Sequence, residues 1–202
     1  NDGAIDIIQQ LLSDAGFKCQ IIKRNGIINL FARWGLAKDG LTFCFSGHTD
    51  VVPPGPTDTW AHDPFSGIEK DGLLFGRGSA DMKSALAAFV SAAVNFTREY
   101  NPTGSIVLVI TGDEEGEAKD GTLAILDWMK ENLEKIDHCL VGEPTSKEYL
   151  GDTIKVGRRG SLTAKFTAYG LQGHVAYPEK ALNPLPALMK LLLKLEKKIL
   201  DN

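Results

Sequence analysis

Cysteine is scarce: three in 202 residues, at Cys19, Cys44 and Cys139, with no C-x-x-C spacing. That excludes a disulfide framework and a zinc ribbon. Cys44 and Cys139 lie inside apolar, strand-like runs and read as buried thiols in a reducing compartment. Long apolar runs are missing too. The longest, residues 85–94, is broken by Ser91 and followed by Asn95, short of the roughly 20 residues that a membrane-spanning helix needs. Nor is there an excess of basic charge: 22 Lys and Arg against 26 Asp and Glu leave a net charge of -4. Neither nucleic acid nor an anionic membrane is then the expected partner, and a small molecule is. Gly76-Arg77-Gly78-Ser79 lacks the G-x-x-x-x-G-K-[ST] spacing of a phosphate-binding loop. No repeat or low-complexity segment is present. Asn1 stands where an initiator methionine would, and Asn202 follows a helix-like stretch directly, so the chain reads as a piece cut at both ends. A signal peptide stays open on that reading.

What is there is alternation of strand and helix. Residues 4–15 space Ile5, Ile8, Leu11 and Leu12 as a helix closed by Gly16. Residues 17–22 and 27–32 read as strands joined through Asn25-Gly26, a hairpin turn. Residues 41–45 form a strand that runs into His48. The proline-rich stretch 53–72 is a shaped rim loop. Residues 82–96 put Met82, Ala85, Leu86, Phe89, Ala93 and Phe96 on one helical face. The branched run 106–110 predicts a strand covered on both faces; a helix over 123–133 and a buried strand over 139–141 follow. This is an α/β fold, a mixed and mostly parallel sheet covered by helices, over a catalytic domain of residues 1–155. From residue 156 the texture changes. Residues 161–169 alternate as a half-exposed strand, and residues 184–200 predict a helix with Leu185, Leu188, Leu192, Leu195 and Ile199 inside. They open a smaller α+β domain.

Three acidic or histidine motifs stand where strands end: Ser46-Gly47-His48-Thr49-Asp50, Thr111-Gly112-Asp113-Glu114-Glu115 and Val141-Gly142-Glu143-Pro144. A fourth, Gly76-Arg77-Gly78-Ser79-Ala80-Asp81-Met82-Lys83, opens the long helix. In open α/β sheets ligands bind beyond the carboxyl ends of the strands. Alone, Asp81 would pass for a helix N-cap; beside the other motifs it reads as a ligand. His48 with Asp50 suits a metal-bound imidazole whose second nitrogen a carboxylate holds. Adjacent Glu114 and Glu115 repel each other unless a cation or solvent absorbs the charge. One histidine and three carboxylates carry more negative charge than one zinc ion neutralises. Two divalent cations about 3.5 to 4 Å apart fit better, and leave one glutamate of the pair free as a base.

In order and approximate spacing, these motifs resemble the dinuclear zinc aminoacylase and carboxypeptidase family, over nearly the whole chain. Val51-Val52-Pro53-Pro54-Gly55, Gly157-Arg158-Arg159-Gly160-Ser161 and Gln172-Gly173-His174-Val175-Ala176-Tyr177-Pro178 are most similar to its branch that acts on N-succinyl-diaminopimelate. The resemblance implies two Zn2+, with Co2+ able to occupy one site. His48 and Glu143 bind the first ion, Glu115 the second, and Asp81 bridges both. Glu114 is the general acid/base, Asp50 orients His48, and His174 is a lid histidine that steadies the oxyanion in the partner subunit's site. Tyr177, Arg158 and Arg159 help to hold substrate. The implied protein is a cytoplasmic, bacterial homodimer joined through its lid domain. It has an N-acyl amino acid as substrate, in diaminopimelate and lysine biosynthesis.

One ligand of that family has no counterpart here, a histidine in the segment that returns from the lid. His62, in the rim loop, and His138, before a strand, read as structural and do not replace it. The resemblance therefore implies that these 202 residues alone bind the second zinc poorly and turn over little. Two rival readings stand beside it: a deacylase of another N-acyl amino acid such as N-acetylornithine, and a non-catalytic metal-binding dimer of the same fold. Retention of Glu114 weighs against the latter.

Overall fold

The computed structural model describes residues 2–35, 40–157, 160 and 163–196. It separates into two compact units, Asn1–Ile154 and Lys155–Asn202. The first is built on a five-stranded sheet. Strand β1 (Lys18–Arg24) pairs antiparallel with β2 (Ile27–Trp34) across a turn whose two residues, Asn25 and Gly26, both have positive φ. That is the turn geometry whose twist matches a hairpin. β2 pairs antiparallel with β6 (Ser105–Thr111), β6 parallel with β3 (Thr42–His48), and β3 parallel with β7 (His138–Val141). β2 is the one reversed strand of this sheet. The carboxyl ends of β3, β6 and β7 therefore lie side by side.

Side chains alternate across the sheet and fill two cores. On one face Leu30, Phe45, Leu108 and Ile110 pack against Ile5 and Leu12 of helix α1 (Asp2–Asp14) and Leu86, Val90 and Ala93 of α2 (Ser84–Glu99). On the other, Phe31, Cys44, Val107 and Val109 meet Ala124, Ile125 and Met129 of α3 (Thr122–Glu131). The branched run of β6 is buried from both sides, as its composition demands. Between β3 and α2 the rim carries a small hairpin, β4 (Ile68–Lys70) and β5 (Leu73–Phe75). Its turn, Asp71-Gly72, again has two positive φ values.

Several expectations are corrected. Asp81 does not open a regular helix. The backbone at Asp81 (φ -121°, ψ 101°) and Met82 (φ -132°, ψ 30°) is non-helical, α2 begins at Ser84, and no side chain caps it. β7 is exposed at all four residues and Cys139 with it, because β7 pairs only with β3 and no described helix covers it. In the second unit, residues 163–169 form no strand; among the described residues the one pairing is a bridge between Leu171 and Leu182, since alternation alone supplies no hydrogen-bonding partner. Helix α4 (Leu185–Glu196) forms, yet none of its residues is buried: Leu185 and Leu192 are exposed, Leu188 and Leu195 half-buried. Ser161, Leu162 and Ile199 lie outside the described residues. No helix among the described residues is long and apolar enough to cross a membrane.

Candidate metal centre

The centre starts from His48, the last residue of β3 and 1 % exposed. Three contacts fix it. Its main-chain N–H points at the Met82 sulfur (3.3 Å), Nδ1 lies 3.0 Å from the Asp50 carbonyl oxygen, and Nε2 lies 3.0 Å from Asp81 Oδ1. Nδ1 held on an oxygen leaves Nε2 as the ligating nitrogen. Around Nε2 stand Glu143 Oε1 at 3.6 Å and Glu114 Oε2 at 4.0 Å. The expected carboxylate grip on the ring differs in detail: Asp50 Oδ1 is 3.6 Å from Nδ1, and the closer contact is the Asp50 main-chain carbonyl.

The Asp50 carboxylate is spent elsewhere. It accepts the main-chain N–H of Glu114 (3.0 Å) and of Glu115 (2.9 Å), tying the loop after β6 to the loop after β3. Burial works to raise its pKa, but the His48 imidazole and those backbone bonds outweigh it and hold the pKa below the usual carboxylate range. The same loop is fixed from behind by residues that the sequence reading missed. Asn29, fully buried in β2, donates to the carbonyls of Ile22 (3.3 Å) and Asp120 (2.9 Å). Its Oδ1 accepts from Thr111 Oγ1 (3.0 Å) and the Gly112 N–H (3.1 Å). Asp113 then accepts the N–H groups of Lys119 (2.9 Å) and Asp120 (3.0 Å). The signal was present: one asparagine inside the apolar run Ile27-Ile28-Asn29-Leu30-Phe31 must bury its amide, and a buried amide needs partners.

Glu143 leaves β7 through Gly142, whose N–H donates to the Ser46 carbonyl (3.0 Å). A Cβ on Gly142 would meet the Phe45 ring and lie 2.7 Å from Met82 Cε, so only glycine lets this strand end lie so close to β3. Asp81 arrives from the irregular segment before α2, after a turn at Gly78 (φ 83°).

Two sets of donor atoms result, each within 4.8 Å of one another: His48, Asp81 and Glu115, and His48, Glu114 and Glu143. Imidazole nitrogen with carboxylate oxygens suits zinc and its neighbours. The electrostatics agree. Burial pushes the Glu115 carboxyl up, and the charge of Asp81 and Glu114 adds to it; burial likewise raises Glu143, with Asp81, Glu114 and Glu115 adding to the rise while His48 opposes it. Burial disfavours a charged His48 ring, but Asp50 and Glu143 outweigh it and hold its pKa up at about 9. Negative charge is in excess, which is what divalent cations neutralise.

Of the other expected site residues, His174 and Tyr177 belong to the second unit, where their rings lie 5.9 Å apart and the Ala176 N–H donates to His174 Nδ1 (3.1 Å). Arg158 and Arg159 lie outside the described residues. His62 packs edge-on against Phe75 (4.9 Å) and His138 begins β7.

The chain is 57 % identical over 199 residues to a succinyl-diaminopimelate desuccinylase of Cereibacter sphaeroides, covering 98 % of the chain and 52 % of that protein. It is 55 % identical over 201 residues to the protein of the same name from Roseobacter denitrificans, covering 100 % of the chain and 53 % of the relative. The chain thus spans about half the length of the curated relatives it matches. Human carnosine dipeptidase 1 shares the fold, with a TM-score of 0.58 at 24 % identity over 68 % of this chain and 31 % of that one. The model of peptidase family M20/M25/M40 matches residues 44–198, the stretch that supplies every donor of the centre, and the chain belongs to that family.

Proposed function

We propose that this chain carries the greater part of the metal centre of a hydrolase that removes succinate from N-succinyl-LL-2,6-diaminopimelate. The observation that supports it most is the convergence of His48, Asp81, Glu114, Glu115 and Glu143 in a chain 57 % identical to a succinyl-diaminopimelate desuccinylase. His48 and Glu143 would hold one Zn2+, Glu115 the other, and Asp81 both, with Co2+ able to take one place. When bound, such a pair supplies Lewis acidity at the amide carbonyl and makes water acidic enough to be deprotonated near neutral pH. Glu114, whose side chain is half exposed, takes the proton from the attacking water and passes it to the leaving amine. Asp50 keeps Glu114 in place through its backbone and His48 through the Asp50 carbonyl.

The second unit is read as the first part of a lid through which two copies pair. From it His174 would reach the partner's centre and donate to the developing oxyanion, and Tyr177, Arg158 and Arg159 would help to hold substrate. The reading carries with it a bacterial, cytoplasmic enzyme of diaminopimelate and lysine biosynthesis. Release of succinate from N-succinyl-diaminopimelate and of acetate from N-acetylornithine by the natural, zinc-loaded protein tests it. Succinate release at least about 100-fold more efficient in kcat/KM, some 2.7 kcal/mol of transition-state preference, is expected. Preference for the acetyl substrate would move the protein to another deacylase, and turnover of neither would leave a metal-binding dimer.

Zinc loading should be strongly pH dependent. A ligating imidazole must be neutral, whereas His48 without metal holds its proton up to a pKa of about 9. Binding below that pH expels the proton, so affinity rises by about tenfold per unit between pH 6 and 8. Competition with a chromophoric chelator measures this, and a flat profile would show a ring already neutral.

A further inference from the structure

A cavity of about 610 Å³ is lined in part by Gly76, Arg77, Ser79 and Lys83 of the segment that leads into α2. Val51, Phe65, Leu74 and Phe75 give it apolar walls, and Arg77 and Lys83 are its charged residues. Among the described residues no aspartate or glutamate lines it, in a protein of net charge -4, and none of the metal-centre donors does. Arg77 is held hard in place. Its main-chain N–H donates to the Pro64 carbonyl (2.7 Å), and its guanidinium lies over the Trp60 ring, 5.1 Å from the centroid. Its Nε is buried and has no hydrogen-bond partner. A buried donor without an acceptor costs free energy until one arrives.

We propose that this cavity binds an organic carboxylate, an anion carried on an apolar body. Guanidinium presents a planar fork that matches a carboxylate, and the unused Nε is one tine of it. Trp60 covers one face of the fork. Lys83 donates to the Thr49 carbonyl and adds a second positive charge to the lining. The walls of valine, leucine and phenylalanine favour an alkyl or aromatic body over a fully hydrated anion such as phosphate, which would lose water against them without replacement. The β4–β5 hairpin, which supplies Leu74 and Phe75, gives the cavity its outer wall.

Calorimetric titration of the zinc-loaded protein with hexanoate tests the site, with hexanamide and inorganic phosphate as probes of equal standing. Expected are saturable 1:1 hexanoate binding, affinity at least about tenfold weaker for hexanamide and phosphate, and a similar loss for Arg77→Leu with partial recovery in Arg77→Lys. The hexanamide comparison uses the unaltered protein, so it holds whether or not a variant folds. Hexanoate binding that Arg77→Leu leaves unchanged would mean coordination at zinc and would overturn the site. So would hexanamide or phosphate binding as tightly as hexanoate, or no saturable binding at all.

Discussion

Glu114→Gln is expected to lower kcat for succinate release by about 10²- to 10⁴-fold, the range of a positioned proton-transfer group. The change keeps the shape and size of the side chain and removes its basicity. The zinc content separates two roles that the geometry allows. Glu114 Oε2 stands 4.0 Å from His48 Nε2 and shares a donor set with His48 and Glu143. If it is the base, the variant keeps its full zinc content and KM, and loses kcat alone. If it is a ligand, zinc is lost in step with activity. Elemental analysis beside the kinetics decides between them. The Asp50 bonds to the Glu114 and Glu115 N–H groups are main-chain bonds and survive the substitution, so the loop stays where it is.

Asp81→Ala should empty the centre further than any other single ligand change. Asp81 Oδ1 is the carboxylate oxygen nearest to His48 Nε2, at 3.0 Å, and it is the ligand proposed to be shared. Loss of a residue that merely supports a ligand costs 10- to 100-fold in metal affinity, so loss of a shared ligand should weaken both ions by about 100-fold or more. Zinc stoichiometry should fall towards zero in Asp81→Ala and to about one in Glu115→Ala. Equal loss in both variants would show that Asp81 serves one ion only. Helix α2 should persist in Asp81→Ala, since it starts three residues later and takes no cap from Asp81.

Much of the first unit was legible because its signals are local. Asn25-Gly26 fixes its hairpin by backbone preference, and the branched run of β6 can only be a strand buried on both faces. The strand-end rule then drew His48, Glu114, Glu115 and Glu143 toward one place. What failed depends on partners rather than patterns. Cys139 sits in an apolar run, but whether a strand is covered is set by what packs on it, and β7 is an edge. The leucines of α4 keep helical spacing with no residue buried. The β4–β5 hairpin went unread although Asp71-Gly72 announces it, because its strands are three residues each and follow a proline-rich stretch. The irregular backbone at Asp81 has no sequence signature beyond the flanking glycines.

The bonds from the Glu114 and Glu115 N–H groups to Asp50 join residues 64 and 65 apart, whereas the β1–β2 hairpin pairs neighbours. Folding order follows from that difference. A hairpin closes in about 1–10 μs from local contacts alone, while each doubling of an intervening loop adds about 0.6 kcal/mol of closure entropy. The hairpin carrying Asn29 can thus form early, and it presents a ready surface on which β6 and then the glutamate loop settle. The pairing of β3 with β6 and with β7 joins residues about as far apart or farther, so the donor loops meet as that parallel pairing forms. Zinc release should therefore track the opening of that parallel pairing rather than the loss of the β1–β2 hairpin.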